Sequence, residues 1–193
     1  MTRIVAGASR GMSLKAPKGN LTRPTSDRVK EALFSAVASW LNTADRSSGE
    51  QLAGIRVLDL FAGSGALGLE AASRGAERVV AVDRHTGAVI RSNAKRTGLR
   101  LEVLPGTAST VLASLEGAFD LVLADPPYDM PSGALGQLVV GLADDGHLSS
   151  PALVVVERPK RAEPLATAEH FTSSWQRSYG DTTLYFHALY PKE

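Results

Sequence analysis

The chain of 193 residues predicts an α/β fold: a mostly parallel sheet with helices on both faces, an antiparallel pair of strands at its end, and a small β-hairpin and helix ahead of it. Three observations predict it. From Ile55 onward short apolar runs alternate with stretches of helical periodicity, the order that builds a parallel sheet. Gly75 and Gly98 sit where two of those helices should close. Asp59, Asp83 and Asp125 fall at or near the ends of apolar runs, the edge at which open parallel sheets bind ligands.

The elements follow in order. Residues 2 to 6 and 12 to 16 read as short strands around Gly7-Ala8-Ser9-Arg10-Gly11, whose glycines suit a tight turn. Pro17 to Leu21 is loop. Arg23-Pro24-Thr25-Ser26-Asp27 is a helix entry in which Thr25 or Ser26 can cap free amides. Val29, Leu33, Ala36, Val37, Trp40 and Leu41 then give residues 26 to 41 one apolar face, with Arg28, Lys30 and Ser35 off it. The polar run from Asn42 to Glu50 is a linker. Strands are expected over Ile55–Leu60, Arg78–Val82, Leu101–Leu104, Phe119–Ala124 and Ala152–Glu157. Helices are expected over Ala66–Arg74, Thr86–Thr97, Ala108–Leu115 and Gly133–Leu142. Phe171–Tyr179 and Thr182–Leu189 read as the antiparallel pair, turning at Gly180-Asp181.

At this length and 44% hydrophobic content, one full core is expected rather than two. The absence of cysteine removes disulfides and thiolate metal sites, and His85, His147, His170 and His187 are too scattered for a zinc set, so no metal is expected. No apolar run approaches the ~20 residues that span a bilayer, and Met1-Thr2-Arg3 leads into no secretory core; a cytoplasmic protein is expected. The net charge of +1 is unevenly spread. Residues 1 to 30 hold seven Lys or Arg against Asp27 alone, and the remainder holds 14 basic against 19 acidic residues. Residues 1–22 therefore read as a basic hairpin arm suited to a polyanion, and 23–193 as the main domain. Arg91, Lys95, Arg96 and Arg100 read as a solvated face.

Two stretches carry chemistry. In the first, Val57 to Gly68, a strand enters a glycine-rich turn that opens a helix, and Gly63 to Gly68 spells G-x-G-x-x-G. Asp83 follows Gly63 by 20 residues, placed to bond ribose hydroxyls. Asp59 ahead of the loop, and Phe61-Ala62 within it, fit a nucleoside without phosphate better than a dinucleotide. The second is Asp125-Pro126-Pro127-Tyr128, a carboxylate at a strand end stopped by two prolines. An exocyclic base amine is a poor nucleophile because its lone pair is delocalised into the ring. Asp125 and the Pro126 carbonyl can accept both amine hydrogens and orient it, and Tyr128 can stack on the base for ~1–3 kcal/mol. This stretch suits guanine or adenine.

These residues bring the chain close to a known family. Arg3 to Gly7 with Arg10-Gly11, Arg23-Pro24-Thr25 with Asp27 to Phe34, Asp59 to Gly68, Asp125 to Tyr128 and the Tyr179-Gly180-Asp181-Thr182 turn together resemble the RsmD family, within the class I S-adenosylmethionine-dependent methyltransferases. The resemblance implies a Rossmann-like sheet and methyl transfer to the 2-amino group of one guanine in 16S rRNA of the small ribosomal subunit or an assembly intermediate. It implies S-adenosylmethionine as cofactor and S-adenosylhomocysteine as product; a monomer is expected. By the same resemblance Asp59, Phe61, Gly63 and Gly65 shape the cofactor pocket, Asp83 holds the ribose, and Asp125, Pro126 and Tyr128 hold the amine. Where many relatives carry an acidic residue after the third strand, this chain reads Gly106-Thr107-Ala108-Ser109, so a backbone contact near Ala108 is expected to meet the adenine. Arg10, Arg23 and Arg28 are the expected RNA contacts. The alternatives are an adenine-amine methyltransferase on DNA or RNA and a nucleic-acid-binding module of the same fold without turnover.

Overall fold

The structure, a computed structural model, describes residues 2–17 and 25–191. The predicted Arg23 contact, the Pro17–Leu21 loop beyond its first residue and the Arg23-Pro24 part of the helix entry lie outside the described residues.

Two short antiparallel strands, β1 (Thr2–Arg3) and β2 (Ser13–Leu14), open the chain and are shorter than the sequence pattern suggests. Helix α1 (Asp27–Trp40) starts where Ser26 Oγ accepts the Val29 amide. Then come β3 (Arg56–Leu60), α2 (Ala66–Ser73), β4 (Arg78–Asp83), α3 (Gly87–Thr97), β5 (Glu102–Pro105), α4 (Ala108–Leu112), β6 (Phe119–Ala124), α5 (Ser132–Asp144), β7 (Leu148–Pro159), a 3-10 turn at Ala168–His170, β8 (Ser173–Tyr179) and β9 (Thr182–Leu189). Gly98 caps α3 in a left-handed conformation.

The main sheet has the order β5-β4-β3-β6-β7-β9-β8. The chain moves outward from β3 to β5 and then returns to place β6 on the other side of β3, so strand order reverses between β3 and β6. That crevice, at the carboxyl ends of the strands, is where this architecture binds ligands. All pairs from β5 to β7 are parallel, and β9 is antiparallel to both β7 and β8. One face packs Val57, Leu123, Val155 and Phe186 against Leu33, Val37 and Leu67 of α1 and α2; the other packs Leu58, Val122 and Val154 against Val111 and Leu135 of α4 and α5. Among the described residues no helix is long and apolar enough to cross a membrane.

Lys30 corrects the amphipathic reading of α1. It is fully buried, and its ammonium donates to Thr2 Oγ1 at 3.2 Å and to the Arg3 carbonyl, 3.3 Å from Asp27 Oδ1. A lysine off the apolar stripe is thus covered by the N-terminal segment. That segment is also held by Glu70, a fully buried carboxylate that accepts the Val5 and Ala6 amides at 2.7 and 2.9 Å and Arg74 Nε at 3.0 Å. Ile4 and Leu14 pack on Leu69 of α2.

Candidate active site

The register of the sheet assembles the site. Leu60 pairs with Val82 on one side and Ala124 on the other, so Phe61, Asp83 and Asp125 stand in one row at the carboxyl edge. Asp59 lies two residues inside that row from Phe61. Ala124 pairs with Val156, which places Glu157 beside Asp125.

In the glycine turn the backbone must bend through conformations that side chains resist. Gly63 and Gly65 have φ of 56° and 79°, and Phe61, at φ 62°, adopts the left-handed region despite its bulk. A Cβ on Gly65 would come within 3.0 Å of Ile90, and one on Gly68 within 2.9 Å of Asp59 Oδ2. Around Gly63 only the Phe61 carbonyl, at 3.9 Å, approaches a Cβ position, so the turn is open there. The Gly68 amide donates to Asp59 Oδ2 at 2.8 Å. Burial pushes Asp59 up to about 8 against that bond, and the charges of Asp125 and Asp83 add to the rise.

Asp83 is half-buried and richly supplied with donors. Its Oδ2 accepts the Gly63 amide at 2.9 Å, and its Oδ1 accepts the His85 and Thr86 amides at 2.8 and 2.9 Å. Burial opposes its charge, but these amides outweigh it and hold the carboxyl below its ordinary range. The Gly106 amide donates to the Asp83 carbonyl, tying the turn ahead of α4 to the same place. Ala108, at the start of α4, is buried with its methyl in the core on the α5 side, behind a Thr107–Thr110 capping box.

On the far side of the crevice Asp125 Oδ2 accepts from Thr25 Oγ1 at 3.0 Å, and Glu157 Oε2 lies 3.1 Å from the same hydroxyl. Burial raises Asp125 against the Thr25 bond. Burial and the charge of Asp125 raise Glu157 further. Pro126 is buried, Pro127 turns the chain by accepting the Met130 amide, and Tyr128 is half-exposed at the lip.

The structure therefore brings Asp59, Phe61, Gly63, Gly65, Asp83, Asp125, Pro126 and Tyr128 to one edge. Of the predicted RNA contacts, Arg28 is exposed in the first turn of α1, three residues beyond Thr25. Arg10 is exposed in a turn whose neighbour Ser9 bonds Ser73 and Thr97, at the C-terminal ends of α2 and α3, so it sits at the opposite edge of the sheet. Arg91, Lys95, Arg96 and Arg100 are exposed. Sequence reasoning missed two residues. Thr25 reads as a helix cap, but Ser26 takes that role and leaves Thr25 to the carboxyls. Glu157 reads as the end of a buried strand; a lone acid after Ala152–Val156, one strand from Asp125, was the available signal.

The electrostatics select among ligands. The charges of Asp83 and Asp125 both act on Asp59, and among the described residues no Lys or Arg bonds the glycine turn. A pyrophosphate would be repelled there, whereas a cationic nucleoside would be attracted. Among the described residues no cluster of His, Cys, Asp or Glu could hold a metal ion.

Comparison with known proteins agrees in fold and extent. The family model described as conserved hypothetical protein 95 matches residues 2–188. The ribosomal RNA small subunit methyltransferase D of Escherichia coli (strain K12) is 35% identical over 158 residues, 80% of this chain and 73% of that protein. A hypothetical protein of Thermus thermophilus superposes with a TM-score of 0.78 at 29% identity, covering 99% of this chain and 100% of its own. A T. thermophilus 16S rRNA N2 G1207 methyltransferase, solved with AdoMet and guanosine, shares the fold at a TM-score of 0.66 and 24% identity, over 89% of this chain and 44% of that one.

Proposed function

The chain belongs to the conserved hypothetical protein 95 family, the RsmD family, and on that premise we propose that it is an S-adenosylmethionine-dependent rRNA methyltransferase acting on the exocyclic 2-amino group of a guanine in 16S rRNA. The observation that supports the reading is the row of carboxyls at the reversal of strand order, with Asp83 held ionised on one side of the glycine turn and Asp125 at the carboxyl edge of β6 on the other.

The residues fit the cofactor on three counts. The ionised Asp83 suits ribose hydroxyls, the open backbone at Gly63 admits a ligand, and the acidic surround favours a sulfonium. Bound S-adenosylmethionine supplies an electrophilic methyl group. Asp125 and the Pro126 carbonyl would accept the amine hydrogens and turn the nitrogen lone pair toward that methyl group. That methyl group would pass to the amine nitrogen, and the displaced electron pair would stay with the cofactor's sulfur. The nitrogen becomes acidic, and Asp125 is placed to take its proton. Tyr128 offers its ring to the base, and Arg28 offers a guanidinium to a nearby phosphate. Any phosphate that Arg10 meets lies away from the amine.

We further assign a backbone contact at Ala108 to the adenine, the small ribosomal subunit or an assembly intermediate as the partner, a monomer as the working form and the cytoplasm as its place. The test is methyl transfer from labelled cofactor to small subunits and to their naked RNA. Label should enter RNA with wild-type protein and be lost with Asp125→Ala while cofactor binding, read by calorimetry, persists. Full transfer by Asp125→Ala would overturn its assigned role.

A further inference from the structure

Thr25 Oγ1 lies 3.0 Å from Asp125 Oδ2 and 3.1 Å from Glu157 Oε2. A hydroxyl has one hydrogen to give, so it cannot serve two ionised carboxylates at once. Were both ionised, one carboxylate oxygen would face the lone pairs of Thr25 with no proton between them. Nor is there a cation to compensate: among the described residues no Lys, Arg or His pairs with either acid. The titratable group that acts on the pair from a neighbouring strand is itself an acid, Asp59 on β3; the segment ahead of α1 contributes Thr25, and β9 contributes Thr182, which bonds Glu157. Arg158, the next residue along β7, points to the opposite face and donates to the Met130 carbonyl. A single proton on one carboxyl resolves the contact.

We propose that Glu157 is a positioning residue for methyl transfer: it carries the one proton shared by the Asp125–Glu157 pair and donates it to Thr25 Oγ1, so that Thr25 donates its own to Asp125. Asp125 is then an oriented anion facing the amine. Exposure assigns the proton to Glu157 rather than Asp125. Glu157 is 6% exposed, deep between β6 and β9, whereas Asp125 stands at the lip and is only part-buried. Burial disfavours the charged form more at the deeper site. Ser26 caps the first turn of α1, which leaves the Thr25 hydroxyl to span the two carboxyls.

The inference rests on the methyl-transfer reading for its role but not for the location of the proton, and the test separates the two. Glutamine keeps a donor where the protonated acid had one. In the full-length protein at neutral pH, the infrared difference between wild type and Glu157→Gln should show the carbonyl band of a protonated carboxyl present only in wild type; Asp59 contributes to both spectra and cancels. In turnover, Glu157→Gln should keep most of the wild-type kcat at neutral pH and lose the alkaline decline that ionisation of Glu157 imposes. Thr25→Val should lower kcat about tenfold or more, the worth of one charge-assisted hydrogen bond, with cofactor affinity unchanged. No band difference, or an alkaline decline that persists in Glu157→Gln, would overturn the proposal. A band difference with no methyl transfer by wild type would instead overturn the function assigned above and leave the proton on Glu157.

Discussion

Asp83 and Asp125 stand two strands apart in one row of the same sheet edge, and their charges are held by different means. Three backbone amides, from Gly63, His85 and Thr86, converge on Asp83. Asp125 has instead one side-chain hydroxyl, from Thr25, that it shares with a second acid. Backbone donors are fixed once β4 and the glycine turn have folded, so Asp83 is a rigid acceptor, which suits the binding role proposed for it. A shared hydroxyl can be re-divided when a proton arrives, which is what a group receiving a proton from an amine requires. The difference teaches how one row of similar residues can hold charge in two ways, and it underlies the proposed division of binding from proton handling.

Four substitutions test that division, in decreasing order of expected effect. Asp125→Ala should lower methyl-transfer kcat by about 100- to 10,000-fold, the usual worth of a positioned acid–base group, with cofactor binding by calorimetry nearly unchanged; a loss of binding instead would merge the two halves. Asp83→Asn should do the reverse. Replacing charge-assisted hydrogen bonds of about 1.5–3 kcal/mol predicts roughly tenfold to hundredfold weaker cofactor binding, and kcat at saturating cofactor should change far less.

Asn93→Ala probes how the Asp83 half is braced. Asn93 accepts the Lys15 amide at 2.8 Å and donates to the Lys15 and Ser64 carbonyls, each at 2.9 Å, fastening the N-terminal segment to the glycine turn. Its loss should cost about 1–3 kcal/mol of stability in denaturant unfolding, because buried groups are left unpaired. The smallest effect concerns pH. Asp59, with its pKa raised from 3.8 to about 8, binds more protons folded than unfolded between those values, so it makes stability fall as pH rises through that window. In Asp59→Asn this contribution vanishes, and melting temperatures from pH 5 to 9 should move in the variant's favour as pH rises. A parallel shift at every pH would show that Asp59 is ionised throughout.

The two halves also differ in how plainly the sequence shows them. Bonds in the Asp83 half span short separations: nine residues from Asp59 to Gly68, 20 from Gly63 to Asp83, three from Asp83 to Thr86. A strand, a glycine turn and a carboxylate at fixed spacing therefore announce it, as apolar periodicity announces the sheet. The Asp125 half depends on Thr25 reaching across 100 residues to Asp125 and 132 to Glu157. No local pattern encodes that meeting. The position of the Asp125 to Tyr128 stretch at the end of β6 was legible by itself, but its partners were not. Lys30 was hidden for the same reason: its burial comes from Thr2 and Arg3, which the helical period of α1 does not see. Strand ends moved least where both faces are buried, as in β6, and most in β7, whose ends pair beyond its apolar centre with Phe119 and Thr182.

The most direct measurement is the identity of the methylated nucleoside. Small subunits lacking the modification would be treated with the wild-type protein and labelled S-adenosylmethionine, and their 16S rRNA digested to nucleosides and resolved. The account predicts label in N2-methylguanosine at a single position and none after Asp125→Ala. Label in a methylated adenosine, or no label in RNA from a protein that binds the cofactor, would contradict it.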